Sequence, residues 1–398
     1  MKQRNVLLVI QPAYPERIQG IARFARSHGW HLTIVDRLAR FPRGWRGDGA
    51  LVTLRGNAKT NRFVRGLVRD GIPVVDLTFN NPEIRLPRVS GDHEAFGRLA
   101  RKHFESLNFH HFAWFSTGWS HVHALRFCGY AVETREEGTG KREQGSENRE
   151  QDIGKWVLEE MVGNDEIDNW RLFLKIIGRE LKSAPKPLAV LTYDDADAAK
   201  VLSAALEAGL RVPEDVAIMG IGNDTVICEN QAVPLSSVDH DLEKNGYEGA
   251  VLLDKLMSSK REEGRGMRDE AQKFRLIPPR GIVIRKSTDT LAADDPVLSA
   301  ALREISRRLP TSFGVAEIAE ALKVPRTRLD RLFAEKFSRS VGKEIVRQRI
   351  DRAKRLLTST DKPMKEIAAL CGYCNAGYFT NAFRAETGVT PKAWRRGR

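Results

Sequence analysis

Residues 367–395 read IAALCGYCNAGYFTNAFRAETGVTPKAWR, and the spacing of their apolar positions decides the C-terminal architecture. Ile367-Ala368 followed by Cys371, Phe379 and Phe383 repeats a pattern present upstream as Ile318-Ala319 followed by Leu322, Leu329 and Phe333. Each copy reads as a short helix with one apolar face, a turn (Val324-Pro325, then Gly372-Tyr373), and a second helix that begins with polar residues and is anchored by a Phe. That is the sequence form of a helix-turn-helix, whose second helix presents its exposed start to a DNA major groove. A helical stretch from Val341 to about Thr358 joins the copies. One polypeptide is thereby expected to read two adjacent segments of double-stranded DNA.

The net charge of +13 is unevenly placed. Residues 297–398 hold 22 Lys and Arg against 10 Asp and Glu, which leaves the first 296 residues nearly neutral at +1. An excess confined to one domain is the electrostatic footprint of phosphate neutralisation, whereas a merely solvated surface would spread it.

At 398 residues with 41% hydrophobic content, the chain has room for two or three packed domains. The opening run Val6–Ile10 ends at Gln11-Pro12, too short for a signal peptide, and reads as a buried first strand. No apolar run is long enough to cross a bilayer, and four Cys do not make a disulfide framework, so a cytoplasmic location without membrane contact is expected. Cys371 and Cys374 form a C-x-x-C, but Cys371 falls on the apolar helix face and no second ligand pair accompanies it. His110-His111, His121 and His123 likewise read as ordinary surface or core residues. Neither a metal nor a cofactor is called for.

From Val6 to about Ile284, short β-branched runs alternate with helical patterns, which argues for stacked βαβ units and a mostly parallel sheet. Candidate strands are Val6–Ile10, His31–Val35, Gly49–Thr53, Pro73–Asp76, His111–Ser116, Leu188–Thr192 and Val216–Gly220. Candidate helices include Glu16–His28, Thr60–Asp70, Glu94–Ser106 and Asp195–Ala208. Glu133–Gln151 and Ser258–Gln272 have no apolar period and read as mobile loops. Asp295-Pro296 is a helix-initiation signal, so the expected division is residues 1–287, a linker at 288–296, and residues 297–398.

The pattern Ile367-Ala368-x3-Gly372-Tyr373-x4-Tyr378-Phe379-x3-Phe383-Arg384-x3-Gly388-x-Thr390-Pro391-x2-Trp394-Arg395 closely resembles the signature of the AraC family of transcription regulators. The resemblance implies an all-α tandem helix-turn-helix domain of seven helices over residues 297–398, with Phe379, Phe383 and Trp394 in its core. It places Arg326, Thr327, Arg328, Asp330 and Arg331 on the first DNA-facing helix and Asn375, Ala376, Gly377, Thr380 and Asn381 on the second. Arg331 suits a bidentate guanine contact, and Arg326 and Arg328 suit base or phosphate alike. Ala376 and Gly377 depart from the longer polar residues common there and fit thymine methyls, shape readout or backbone contact. Pro325 stands where the family often has a capping Ser.

Leu210-Arg211-Val212-Pro213-Glu214-Asp215-Val216-Ala217-Ile218-Met219-Gly220-Ile221-Gly222-Asn223-Asp224 and Leu235-Ser236-Ser237-Val238 resemble the LacI-type sugar sensors. This implies an α/β two-lobe periplasmic-binding-protein-like domain over residues 1–287 with a sugar effector in the cleft. Sugar recognition needs carboxylates and planar Asn or Arg groups for paired hydroxyls, and an aromatic face for the ring carbons. The matching positions are Tyr14, Arg17, Asp92, Arg126, Asp195, Asn223 and Asp224. Asp92 and Asp195 also suit helix caps, and Arg126 also suits a surface ion pair. Gly222 stands where these sensors usually carry an Asp.

The order of the two parts is similar to that of the regulators of pentose (xylose) catabolic genes. It implies a homodimeric activator that contacts RNA polymerase. The alternatives are a DNA-tethered α/β sugar-processing enzyme and a ligand-independent DNA binder with a degenerate sensor domain. For the first of these the chain offers no Gly-x-Ser-x-Gly elbow, no phosphate loop and no zinc-hydrolase His pair, so no catalytic residue is expected.

Overall fold

Val6 and Leu8 enter one hydrophobic core while Leu7 and Val9 enter another, so the opening run is a strand buried on both faces, as a central parallel strand must be. The computed structural model describes residues 3–35, 41–42, 44–54, 57–131, 153–162, 168–259, 274–289, 295–360 and 362–396. The segments read as mobile loops, 133–151 and most of 258–272, lie outside the described residues, as do 290–294 of the linker. Two compact units emerge, one of Met1–Ser106 with His110–Asp289 and one of Leu107–Phe109 with Thr290–Arg398.

The first unit is built on twelve described strands: β1 (Arg4–Val9), β2 (Trp30–Ile34), β3 (Gly49–Val52), β4 (Val74–Asp76), β5 (Arg88–Gly91), β6 (His111–Ser116), β7 (Ile153–Val157), β8 (Leu188–Thr192), β9 (Val216–Gly222), β10 (Ser236–Asp239), β11 (Phe274–Ile277) and β12 (Gly281–Val283). They form two six-stranded sheets, ordered β11-β5-β4-β3-β1-β2 and β12-β10-β9-β8-β6-β7. All pairings are parallel except β10 with β12. Each sheet is one lobe. In each, the order reverses beside its first strand, between β1 and β3 and between β6 and β8, and the carboxyl ends of strands at such a switch point leave a crevice for ligands.

Seven expected strands are present within two residues of their predicted ends, and the expected helices occupy Pro15–Ser27, Ala58–Arg69, His93–Ser106 and Asp195–Glu207. The sequence reading lacks β5, β7, β10, β11 and β12. β5 and β10 are short, polar and yet buried: Arg88 of β5 pairs with the buried Asp76 at 3.1 Å, and the hydroxyls of Ser236 and Ser237 in β10 are hydrogen-bonded. Polar side chains satisfied inside a sheet leave no apolar run to read.

Between the sheets the chain crosses three times, at residues 92–110, 240–241 and 278–280. After β10 the helix Leu242–Ser259 returns to the first sheet, where Ala250, Leu253, Leu256 and Met257 join the core of β1, β3, β4 and β5. The crossings are tied side by side, with Asp92 N–H donating to Ile277 O at 2.8 Å and Arg280 N–H to Asp239 O at 3.0 Å. They form the hinge of the two lobes.

The second unit has seven described helices, Pro296–Arg308, Val315–Ala321, Arg326–Phe337, Val341–Ser359, Met364–Leu370, Ala376–Thr387 and Pro391–Arg396. Ile318, Ala319, Leu329 and Phe333 lie in one core and Ile367, Ala368, Cys371, Phe379 and Phe383 in another, so the repeated spacing is the packing stripe of two helix-turn-helix modules. Asp295 caps the first helix by accepting from Val297 and Leu298 N–H. The Arg326–Phe337 helix starts at Pro325 without a side-chain cap. Cys371 is buried and Cys374 exposed, and neither is in a disulfide.

Candidate functional site

The crevice between the lobes holds a cavity of about 600 Å³. Tyr14, Arg17, Arg126, Asp195, Asn223 and Asp224 all line it, six of the seven candidate ligand residues drawn together from four separate segments, Arg126 from within the helix His121–Ala131. Tyr14 and Arg17 follow β1 and open the Pro15–Ser27 helix, Asp195 follows β8, and Asn223 and Asp224 follow β9. Asp92 is a helix cap, accepting from Ala95 N–H at 2.9 Å and lying 3.9 Å from Arg98.

Arg126 is buried and held from two sides. Its Nε donates to His93 Nδ1 at 3.2 Å, its Nη1 donates to Tyr193 O, and its guanidinium lies 4.6 Å from the centre of the Tyr193 ring. That ring stacks in turn on His123 at 3.6 Å. Burial, then the positive Arg126 and Arg17, hold His93 well below the usual imidazole range, so it is neutral and its Nδ1 is free to accept. His240 is neutral for the same reasons, burial first, and its Nε2 has no hydrogen-bond partner among the described residues. Arg17, from the other lobe, is fixed by Asn245 Oδ1 at 2.9 Å. Two guanidiniums held in place from opposite lobes, with Tyr14 near Arg17, give fixed donors and a planar face for a polyhydroxylated ligand. At the rim, Ser120 Oγ donates to Asn80 Oδ1 at 3.4 Å and Phe79 meets His121 edge to face.

Asp195 has both oxygens engaged by the protein. Oδ1 accepts from Ser237 Oγ at 2.6 Å and Oδ2 from Asp224 N–H at 2.7 Å. A Cβ at Gly222 would sit 3.0 Å from Oδ2, so the glycine that departs from the sensor pattern gives this carboxyl its space. Asp195 thus shapes the cleft floor, and Asp194, Asp239 and Asp241 beside it add carboxylates that the sequence reading lacks. It also lacks His93, Tyr193, His240 and Arg280, which come from the hinge crossings and strand ends, where no periodic pattern marks them.

Burial pushes the Asp195 carboxyl up to about 6, against the pull of the Ser237 and Asp224 hydrogen bonds. An acid raised in the folded state binds more protons there than in the unfolded chain between about pH 4 and 6, so stability falls as pH rises through that window. Asp195→Asn keeps one acceptor for Asp224 N–H and offers a donor to Ser237. It is expected to reduce the loss of stability between pH 4 and 7 by roughly 3 kcal/mol, read from urea midpoints at the two pH values. Asp76, also near 6, and Asp194, also raised, leave a residual slope.

On the Arg326–Phe337 helix, Arg326, Thr327, Arg328 and Arg331 are exposed and Asp330 is half-buried. Arg326 lies 3.4 Å from Asp330 and Arg331 3.7 Å from Glu335, loose exposed pairs that DNA can displace. On the Ala376–Thr387 helix the side chains divide. Asn375 is the N-cap, its Oδ1 accepting from Tyr378 N–H at 2.7 Å, and Thr380 Oγ donates back to Ala376 O at 2.7 Å. Ala376 is half-buried, while Gly377 and Asn381 are exposed. Tyr378, 64% exposed beside them, is named in the signature pattern but absent from the set of base-facing residues taken from it.

A family profile described as a periplasmic binding protein-like domain matches residues 102–288, and one described as a helix-turn-helix domain matches residues 318–397. The xylose operon regulatory protein of Haemophilus influenzae is 32% identical over 215 residues, covering 54% of this chain and 54% of that protein. Its namesake in Escherichia coli K12 is 28% identical over 229 residues, covering 57% and 56%. The match thus spans about half the length of these curated relatives. Among solved structures, a xylose-binding transcription activator, xylR, superposes with a TM-score of 0.67 over 100% of this chain and 99% of its own at 20% identity. A regulator CelR in complex with cellobiose gives 0.52 over 72% and 84% at 19% identity. At these identities the likeness is one of fold.

Proposed function

We propose that this chain, joining a periplasmic-binding-protein-like domain to a tandem helix-turn-helix domain, is an AraC-family transcription regulator whose DNA affinity is set by a sugar bound between the lobes. The observation that carries the reading is the cleft itself, where Arg17 and Arg126 from opposite lobes are buried, oriented and surrounded by carboxylates on a chain that also carries two DNA-facing helices. A pentose, D-xylose first, is the effector class that the relatives' names support. The regulator acts as a homodimer on an operator and activates through contact with RNA polymerase. A coupling of about 1–3 kcal/mol between sugar and DNA is enough to change operator occupancy five- to 150-fold.

The test is a thermal-shift titration with D-xylose, L-arabinose, ribose and several hexoses. The true effector at a hundred times its dissociation constant is expected to add about 2.7 kcal/mol of stability. No shift with any sugar would remove the sugar from the reading and leave a ligand-independent DNA binder, and turnover of any of them would make the first unit an enzyme.

Arg331→Ala is expected to relax selection at a single base pair, costing about 1–3 kcal/mol of discrimination there and little elsewhere. Binding measured against a library of operator point variants reads this directly. Uniform weakening across all sequences would reassign Arg331 to phosphate.

A further inference from the structure

One residue facing the cleft is also held by the segment through which the first unit ends. Asn223 donates from Nδ2 to Asp239 Oδ2 at 3.4 Å, beside the hinge crossing, and its Oδ1 accepts from Arg285 Nη2 at 3.0 Å. Arg285 is mostly buried, with a second guanidinium nitrogen donating to Leu235 O at 3.0 Å. Its backbone is locked to Ser236: Arg285 N–H donates to Ser236 Oγ at 2.8 Å, and that hydroxyl also lies 2.7 Å from Thr288 Oγ1. Ser287 completes the lock, donating its hydroxyl to Ile218 O at 2.6 Å and accepting from Ser236 N–H at 2.8 Å. Asn223 N–H meanwhile donates to Ser237 Oγ, the hydroxyl that holds Asp195 in the cleft floor. Hydrogen bonds therefore run without a break from the cleft to Thr288, the residue before the first unit ends at Asp289.

We propose that Arg285 is a positioning residue that couples the cleft to the exit segment 285–289 by way of Asn223. The idea rests on the reading of the cleft as an effector site. A ligand that draws on the Asn223 amide, or a hinge motion that moves Asp239, changes what Arg285 can hold, and Arg285 carries Ser236, Ser287 and Thr288 with it. Ser287 and Thr288, though next to a linker, are fully buried, as an element that moves as one body requires.

The experiment is hydrogen exchange on the full chain with and without saturating D-xylose, in wild type and Arg285→Met. In wild type the sugar is expected to slow exchange both at residues 222–226 and at residues 285–289, by about tenfold. In Arg285→Met the sugar is expected to raise the melting midpoint and protect residues 222–226 as before, with no protection at 285–289. Persisting protection at 285–289 overturns the proposal, and so does loss of sugar binding, which would make Arg285 a pocket residue. Thr288→Val supplies a ligand-free check. It is expected to speed exchange of the Asn223 and Asp224 amides in the wild-type background and to leave them unchanged beside Arg285→Met. If D-xylose has no effect on wild type, it is not the effector, and this second arm decides the coupling alone: no change at Asn223 and Asp224 overturns it.

Discussion

Arg126→Ala is expected to abolish the sugar-induced thermal shift. The guanidinium is buried where Tyr193, His93 and Phe96 meet, and its removal leaves the Tyr193 carbonyl and His93 Nδ1 without that donor and opens a hole beside the Tyr193 ring. Losing one charged donor to a buried acceptor costs about 1.5–3 kcal/mol, so the basal midpoint falls as well. The stabilisation of about 2.7 kcal/mol at a hundredfold excess of effector then disappears, because a ligand that needed a fixed donor finds a cavity. Arg126→Lys separates the two effects: it keeps the charge but loses the planar fork, and is expected to regain the basal midpoint without regaining sugar affinity. Full sugar response in Arg126→Ala would remove this residue from the site.

Gly372→Val is expected to reduce operator binding by about a hundredfold or more. The second module turns at Gly372, with a backbone φ of +74°. A Cβ there would lie 2.4 Å from Thr311 O and 2.7 Å from Leu309 O, in the segment between the first two helices of the unit. Both obstacles are backbone, which cannot swing aside. Arg349 sits over the same junction, donating to Thr311 O and Phe313 O at 3.1 and 3.2 Å, with its guanidinium 4.9 Å from the Phe313 ring. A side chain at 372 therefore forces the two modules apart, and with them the helices Arg326–Phe337 and Ala376–Thr387 proposed to meet DNA. Gly388→Ala is the control: φ is +77° but nothing lies within 4 Å, so only the left-handed backbone strain of about 1–2 kcal/mol is felt. Anisotropy titrations of an operator recovered by in vitro selection compare them, and equal losses would mean that strain alone, not module spacing, is at stake.

How much could be read from the chain depended on what each residue packs against. The two helix-turn-helix modules were legible because their cores are local: residues three, four or eleven positions apart touch one another, and spacing alone reports it. The long central strands were legible for the matching reason, since both faces are buried and the run is continuously apolar. β5, at Arg88–Gly91, is invisible to that logic, because its Arg is made acceptable by an Asp twelve residues away. The cleft was legible in part. Arg126, Arg17 and the residues after β9 lie in recognisable motifs, whereas His93 and His240 come together only when three crossings are laid side by side, and single histidines carry no pattern. Asp92 and Asn375 are each the right residue type for contact with a ligand or a base, and each uses one side-chain oxygen to cap a helix, the alternative that the sequence leaves open for Asp92.

The first sheet is not finished by its own five leading strands. The helix that lines its core, Leu242–Ser259, and the strand β11 that pairs with β5 both come after β10 in the chain. A nascent polypeptide that has left the ribosome as far as residue 240 has every strand of the second sheet but β12, while β1, β3 and β5 still lack Ala250, Leu253, Leu256 and Met257 to cover them. The part synthesised first thus stays uncovered through a wait of some 150 residues, from the end of β5 to the start of the Leu242–Ser259 helix, at about 5–20 residues per second. During that interval its apolar face and the open edge of β5 are exposed to other chains and to chaperones, a burden that a lobe-by-lobe arrangement would not carry.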